Sequence, residues 1–324
     1  MKKQMLYGLI ALSFLCLSFR ASFWGFHAHK KINRLAVFTL PPDLIDFYKK
    51  HIVYLTENAV NPDERRYAVP WEAPRHYIDL DVYGDEALEV LPHRWDSAVA
   101  VYSEDTLQAY GIVPWHIALM KWQLTQAFEQ RNLDDILRYS ADIGHYIADS
   151  NVPLHTTENY NGQLTNQEGI HGFWESRIPE LLDEDYDFFV GRAEYVEDVS
   201  ARVWEGVAQA HHAVDSVLRF ERELTEVFPE SKKYSYEDRG SQSVKVYSKK
   251  FTEAYHTRLD GMVERQMRAS IQMVGDIWYS CWVDAGQPDV VDLLQLDLDA
   301  RAIEKLKQER ASWKERIVKS RAHN

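Results

Sequence analysis

Apolar residues recur three and four positions apart over most of this chain, the spacing of one face of a helix. Ile117, Met120, Leu124 and Phe128 form such a stripe, and Pro114 suits the first turn of the helix that carries it. Leu133, Ile136, Leu137, Ile143 and Ile147 form the next. Pro153 has no N–H to extend that helix and holds Val152 in extended backbone, so the helix should end near Asn151. Val199 to Glu226, with Val203, Val207, Ala210, Val214, Val217, Leu218 and Leu224, reads as one further helix. Val244 to Trp282 reads as another, long and interrupted near Gly261 or Gly275. Ser231 to Ser243 is a polar, glycine-containing connection, and Gly286-Gln287-Pro288 stops the last long helix. Leu293 to Val318 is charge-rich, with Leu298, Ile303, Leu306, Trp313 and Ile317 on an amphipathic terminal helix. The sequence shows no strand-rich segment, internal repeat, phosphate-cradling glycine loop or serine nucleophile motif. The expectation is an all-α protein, with one multi-helix bundle domain over residues 24–287 and a charged helical tail over residues 288–324.

The first residues depart from this pattern. Met1-Lys2-Lys3 and the apolar run Leu6 to Phe19 have the charged head and short apolar core of a secretory signal, so residues 1–23 are expected to be a signal peptide. The mature protein is then exported, periplasmic or secreted. Its formal charge, −13 for the whole chain, becomes more negative when Lys2, Lys3 and Arg20 are removed, which argues against a general polyanion binder. Cys16 lies in the signal and leaves Cys281 without an intramolecular partner, so packing and metal, not a disulfide, must hold the fold.

Candidate chemistry is concentrated between His145 and Glu175. His145 and Asp149 stand four apart and project from one helix face about 40° from each other, close enough to share an ion. His171 and Glu175 repeat the device, and Pro153 places His155 on a loop between the two pairs. A lone His-x3-Asp pair on a helix is most often a surface hydrogen bond, but two pairs and an intervening histidine in so short a stretch point to metal. Two histidines and one glutamate suit a catalytic zinc, which keeps three protein ligands and an open position. Elsewhere the residues leave alternatives open. His27 and His29 are either ligands or polar residues entering a helix, Asp63 after Pro62 is either a ligand or an N-cap, and Asp79 and Asp81 serve equally well as turn residues. His116, His211 and His212 read as structural or solvent-facing.

Taken in order, Trp24-x4-His29, Asp63, His76, His145-x3-Asp149-x5-His155 and His171-x3-Glu175 resemble the superfamily of bacterial zinc-dependent phospholipases C and the single-strand-specific nucleases of fungi and plants. The resemblance runs from Trp24 to about Gly286 and implies a nearly all-helical fold with two to three zinc ions lining one cleft. It implies that Asp63, His76, His145 and Asp149 hold one ion and that His155, His171 and Glu175 hold a second. The third would take the amine and carbonyl of Trp24, His29 and the bridging Asp149. The implied reaction is attack of an activated water on the phosphorus of a phosphodiester, with Asp79 orienting the water and Asp63 sharing the role of base.

The implied substrate is a phospholipid or other phosphodiester, met in transient contact with a membrane surface, and no obligate protein partner. Asn151-Val-Pro-Leu-His155, the Thr156 to Gly162 loop and Glu175 look like the phospholipase branch. Trp24-x4-His29 and Ile170-His-x2-Trp174 look like the nuclease branch, whose substrate is single-stranded nucleic acid. Trp71, Tyr77, Tyr160, Phe173 and Trp174 could cradle a quaternary ammonium, stack on a base or belong to the core. Arg65, Arg66 and Arg75 flank Asp63 and His76 and are the basic residues placed to meet phosphate. A non-catalytic protein stabilised by closed zinc sites is the remaining reading, and the three-ligand set argues against it.

Overall fold

The computed structural model describes residues 26–239 and 242–316, and the expected signal peptide and Trp24 lie outside them. The protein is mainly α-helical. Its centre is the helix Leu133–Ser150, which packs against Phe26–Ala36, Ile52–Asn58, Val113–Glu129 and Met262–Asp284. Asn132 caps its start by accepting from the Asp135 N–H (3.3 Å), and Asp134 and Asp135 place negative charge on the first turn. It ends at Ser150, as the proline demands, with Val152 extended (φ −86°, ψ 122°).

Two faces were expected of this helix, one apolar and one ligand-bearing. In the fold every residue from Ser140 to Ser150 is buried. Polar contacts fix it among its neighbours. Tyr48 Oη meets Ser140 Oγ at 2.9 Å, Trp278 Nε1 donates to the Ser140 carbonyl (3.1 Å), and Asn33 Nδ2 donates to the Ala141 carbonyl (3.0 Å). Tyr48 and Trp278 stack on each other with ring centroids 4.8 Å apart. Ile136, Leu137, Ile143 and Ile147 join Leu44, Leu55, Ile271 and Ile277 in one continuous apolar core.

The second half of the chain departs from the periodicity reading in two places. Tyr234–Arg239 and Gln242–Tyr247 pair as an antiparallel hairpin where a polar connection and the start of a helix were expected. Val244-Lys245-Val246-Tyr247 alternates, and its β-branched and aromatic residues favour a strand. The helix begins only at Lys249, capped by Ser248, which accepts from the Phe251 N–H (3.3 Å). Val199–His212 and Val214–Val227 are two helices, divided where the Ala213 N–H turns to the Ala210 carbonyl three residues back. Gly261, at φ 71°, separates Lys249–Arg258 from Met262–Asp284, whereas Gly275 lies inside the latter.

Beyond Gly286 the chain returns to the body. Val290 and Leu293 join the core, and Lys50 Nζ donates to the carbonyls of Leu294 (2.8 Å) and Leu296 (2.6 Å). The Ala300–Glu315 helix lies against Asn61–Arg66, where Arg310 makes a two-pronged bond to Glu64 (2.8 and 2.7 Å). Among the described residues no helix is long and apolar enough to cross a membrane.

Gly275 is required by close approach, since a Cβ there would sit 1.9 Å from Thr39 Oγ1, itself held by the Ala36 carbonyl. Helix propensity alone would favour Gly275→Ala by about 1 kcal/mol. The expected outcome has the opposite sign, a net loss of about 1–3 kcal/mol in urea denaturation from overpacking, largely recovered in the double variant with Thr39→Ala.

Candidate metal centre

Five segments bring the ligand-type side chains to one place. His29 comes from Phe26–Ala36, Asp63 from Asn61–Arg66, and His76 from the 3-10 turn Ala73–His76. His145 and Asp149 come from Leu133–Ser150 and its continuation, the 3-10 turn Pro153–Thr156, adds His155. His171 lies on the short turn Ile170–Gly172, followed by a π-helical turn, Phe173–Arg177, that carries Glu175. Pro179 follows the wider turn. It has no N–H to return to the Glu175 carbonyl, and the Ile178 N–H before it reaches five residues back to the Phe173 carbonyl.

Three of the histidines are oriented from behind by backbone. His145 Nδ1 meets the Ala59 carbonyl at 2.9 Å, His171 Nδ1 meets the Tyr160 carbonyl at 3.2 Å, and His155 Nδ1 meets the His76 carbonyl. A carbonyl only accepts, so each Nδ1 carries the proton and each Nε2 presents a lone pair to the interior of the site. His145 Nε2 lies 3.2 Å from Asp149 Oδ2, 3.7 Å from Asp63 Oδ1 and 3.1 Å from His76 Nδ1. His171 Nε2 and His155 Nε2 lie 2.8 and 3.4 Å from Glu175 Oε2. His29 Nε2 stands between Asp149 Oδ1 (3.3 Å) and Glu175 Oε1 (3.4 Å), its ring stacked on that of His145.

These contacts resolve into three groups able to hold a metal ion: His29, His145 and Asp149; Asp63, His76 and His145; and His155, His171 and Glu175. In each group the ligand atoms all lie within 4.8 Å of one another, and every member is buried. With its Nδ1 on Ala59, His145 has one nitrogen to give, so it serves either of the first two groups but not both. Asp149 touches all three, with one oxygen toward His76 and His145 and the other toward His29 and His155.

The electrostatics of the site call for a cation. Asp63, Asp149 and Glu175 are buried together, and burial raises the pKa of Asp63 and lifts that of Asp149 to about 6, against the pull of the neighbouring histidines. Burial works against a charge on His29 as well, but Glu175, Asp149 and Asp63 outweigh it and raise its pKa to about 9. His145, penalised by burial and by His29, falls to about 3 and stays neutral. Neither nitrogen of His29 makes a hydrogen bond, nor does Asp149 Oδ1. Buried polar atoms without hydrogen bonds, beside concentrated negative charge, are what a metal ion would satisfy.

The arginines divide. Arg65, expected beside the substrate, is instead locked into the protein: its guanidinium binds Glu72 (3.0 Å), Asp142 (3.0 Å) and Tyr146 Oη (2.7 Å). Arg75 is also paired with Glu72, at 2.8 Å. Arg66 is 2 % exposed, and its Nε and Nη1 make no hydrogen bond. Its charge is felt at both Asp63 and Asp149. Asp79 is buried, its N–H held by the Tyr110 carbonyl (2.7 Å), and it belongs to none of the three groups. Asp81 ties two loops together by accepting from Thr157 Oγ1 (2.6 Å) and the Glu158 N–H (2.9 Å). Of the aromatics singled out, Tyr77, Phe173 and Trp174 are core, Tyr160 is half-buried, and Trp71 is exposed at φ 64°.

His27 bonds Asp183 at 2.7 Å, away from the groups that include His29. The residues the sequence did not single out are the supports: Glu72, Tyr146 and the carbonyls of Ala59 and Tyr160. No protein-family model matches the chain, and no curated protein matches it.

His116 stands beside the site without joining it, packed edge-on against Tyr146 at 4.5 Å. Burial, reinforced by Arg75, lowers its pKa from 6.5 to about 3. The unfolded chain therefore takes a proton there below about pH 6.5 that the folded chain refuses, and stability is lost as pH falls through that window. His116→Gln removes this dependence. Relative to wild type, the metal-free variant should gain about 2 kcal/mol between pH 7 and pH 5 in urea denaturation.

Proposed function

We propose that this chain is an exported zinc-dependent hydrolase of phosphodiester bonds, phospholipase C-like in its substrate. One observation carries the reading. Three histidines, each anchored at Nδ1 by a backbone carbonyl, aim Nε2 at a buried set of carboxylates beside a buried arginine whose Nε and Nη1 make no hydrogen bond. Asp63, His76, His145 and Asp149 would hold one ion, and His155, His171 and Glu175 a second. His29 and Asp149 would hold a third, with Trp24 completing it. The three-ligand group leaves a position open, which favours catalysis over a purely structural site. Zinc, when bound, lowers the pKa of a coordinated water to about 7 and neutralises phosphoryl charge.

The protein side chains do the rest. Asp149 joins the ion sites and keeps them in register, and the carbonyl anchors hold the imidazoles in the one tautomer that can ligate. Arg66 offers two N–H donors, at Nε and Nη1, to a non-bridging phosphoryl oxygen, a charge-assisted pairing that no protein group supplies for those atoms. Asp79 orients the attacking water and Asp63 shares the role of base. A single-strand nuclease is the second reading, favoured by the Trp24-x4-His29 spacing. The formal charge of −13 weighs against it, because a polyanion is drawn in by basic surface and a single phosphodiester is not.

The purified mature protein should carry two to three zinc ions and lose activity to a chelator. At moderate salt it should turn over a phosphatidylcholine-type or small chromogenic phosphodiester faster than single-stranded DNA or RNA. Rapid degradation of single strands with phospholipid untouched would establish the nuclease reading, and full activity with less than one zinc per chain would refute both. His145→Ala should lose metal and stability together. Arg66→Met should keep its zinc while kcat/KM falls by about 10- to 100-fold, the worth of one hydrogen bond to a charged group.

A further inference from the structure

His76 is the ligand-type residue whose two ring nitrogens face opposite ways. Nδ1 looks into the site, 2.8 Å from Asp149 Oδ2 and 3.8 Å from Asp63 Oδ1. Nε2 faces away from it, 3.8 Å from Glu72 Oε1, a distance at which the carboxylate acts by charge and not by a hydrogen bond. Glu72 lies one turn before His76, and its side chain is wholly buried. Its carboxylate is held on several sides: Arg65 Nε reaches Oε1 (3.0 Å), Arg75 Nη1 reaches Oε2 (2.8 Å), and Tyr146 Oη donates to Oε1. Arg65 is fixed in turn by Asp142 (3.0 Å) and Tyr146 Oη (2.7 Å), and the Tyr146 ring stands edge-on to His76 with centroids 5.4 Å apart. Two arginines and two carboxylates balance here, so the network is not a spare charge awaiting a ligand. It fixes one carboxylate, that of Glu72, behind one imidazole.

We propose that Glu72 is a positioning residue for the metal centre, its buried carboxylate holding His76 in the Nε2–H tautomer and so directing the Nδ1 lone pair to the ion shared with Asp63. His145, His155 and His171 are oriented by direct hydrogen bonds to carbonyls, whereas Glu72 acts on His76 across a longer, electrostatic contact. Only His76 must present Nδ1, and it is the one backed by a carboxylate. A carboxylate behind an imidazole does more than orient it, because its charge makes the ring a better donor to a cation. Arg65, Arg75 and Tyr146 keep that carboxylate in place.

This inference rests on the site binding metal, and the test separates the two. Metal-free wild type, Glu72→Gln and Tyr146→Phe are titrated with Zn2+ and Co2+ against a competing chelator, with the cobalt absorption spectrum recorded and the melting temperature of each metal-free form measured alongside. Wild type that takes up neither metal refutes the metal reading itself. If wild type binds, Glu72→Gln should lose about 10- to 100-fold in affinity at one site and alter that site's cobalt bands, while the His155, His171 and Glu175 site stays at wild-type affinity. Tyr146→Phe, which keeps the carboxylate and removes one orienting bond, should show the same change to a smaller degree, and it decides the matter should Glu72→Gln not fold. Variants that melt lower but bind metal as wild type does would make the network purely structural and overturn the inference.

Discussion

Several carboxylates sharing one buried site repel each other and resist losing their water, and the rest of this structure is arranged around that cost. Asp63, Asp149 and Glu175 can sit together only if something positive sits with them. In the bare protein His29 takes that part, holding its proton far above the usual range for an imidazole. A metal ion would do so better, since the neighbouring histidines already present lone pairs. The second half of the helix Leu133–Ser150, from Ser140 onward, is buried all round for the same reason: apolar packing on one side fixes the angle at which Asp149 meets three other segments. Stability and chemistry are thus joined in one element, and neither could be altered there alone.

The support behind the ligands has a common logic carried out with two kinds of group. In His145, His155 and His171, which offer Nε2, a main-chain carbonyl secures the opposite nitrogen, which needs no particular side chain and leaves no trace in the amino-acid sequence. Where the imidazole must offer Nδ1, the opposite nitrogen points at Glu72, and a buried ion network keeps that carboxylate from turning away.

The sequence was most informative where the chemistry is local. The all-helical class followed from spacings within single helices, and the pairs His145 with Asp149 and His171 with Glu175 are each one helical turn long. His29, Asp63 and His76 are separated by loops whose course no periodicity describes, and they were assigned through resemblance to a family. Arg65 shows the limit plainly: next to Arg66 in sequence, it faces Glu72 and Asp142 instead of the site, because two consecutive residues on a helix point about 100° apart. The hairpin was missed because a four-residue alternation, Val244 to Tyr247, is too short to outweigh the helical pattern that follows it. Gly261 and Gly275 both stand as possible breaks in the sequence, because a glycine that interrupts a helix and one that lets a neighbour approach look identical until the neighbour is known.

The π turn at Phe173–Arg177 changes how this region tolerates insertion and deletion. A π turn holds one residue more than its α-helical equivalent, so the chain carries a phase offset between His171 and the helix beginning at Ile178. Loss of a single residue here would turn the π turn into regular helix and leave the side chains beyond it in phase, yet the backbone that carries Glu175 to His155 and His171 would be rebuilt. Chain length within this turn is therefore under tighter constraint than the identity of most residues in it.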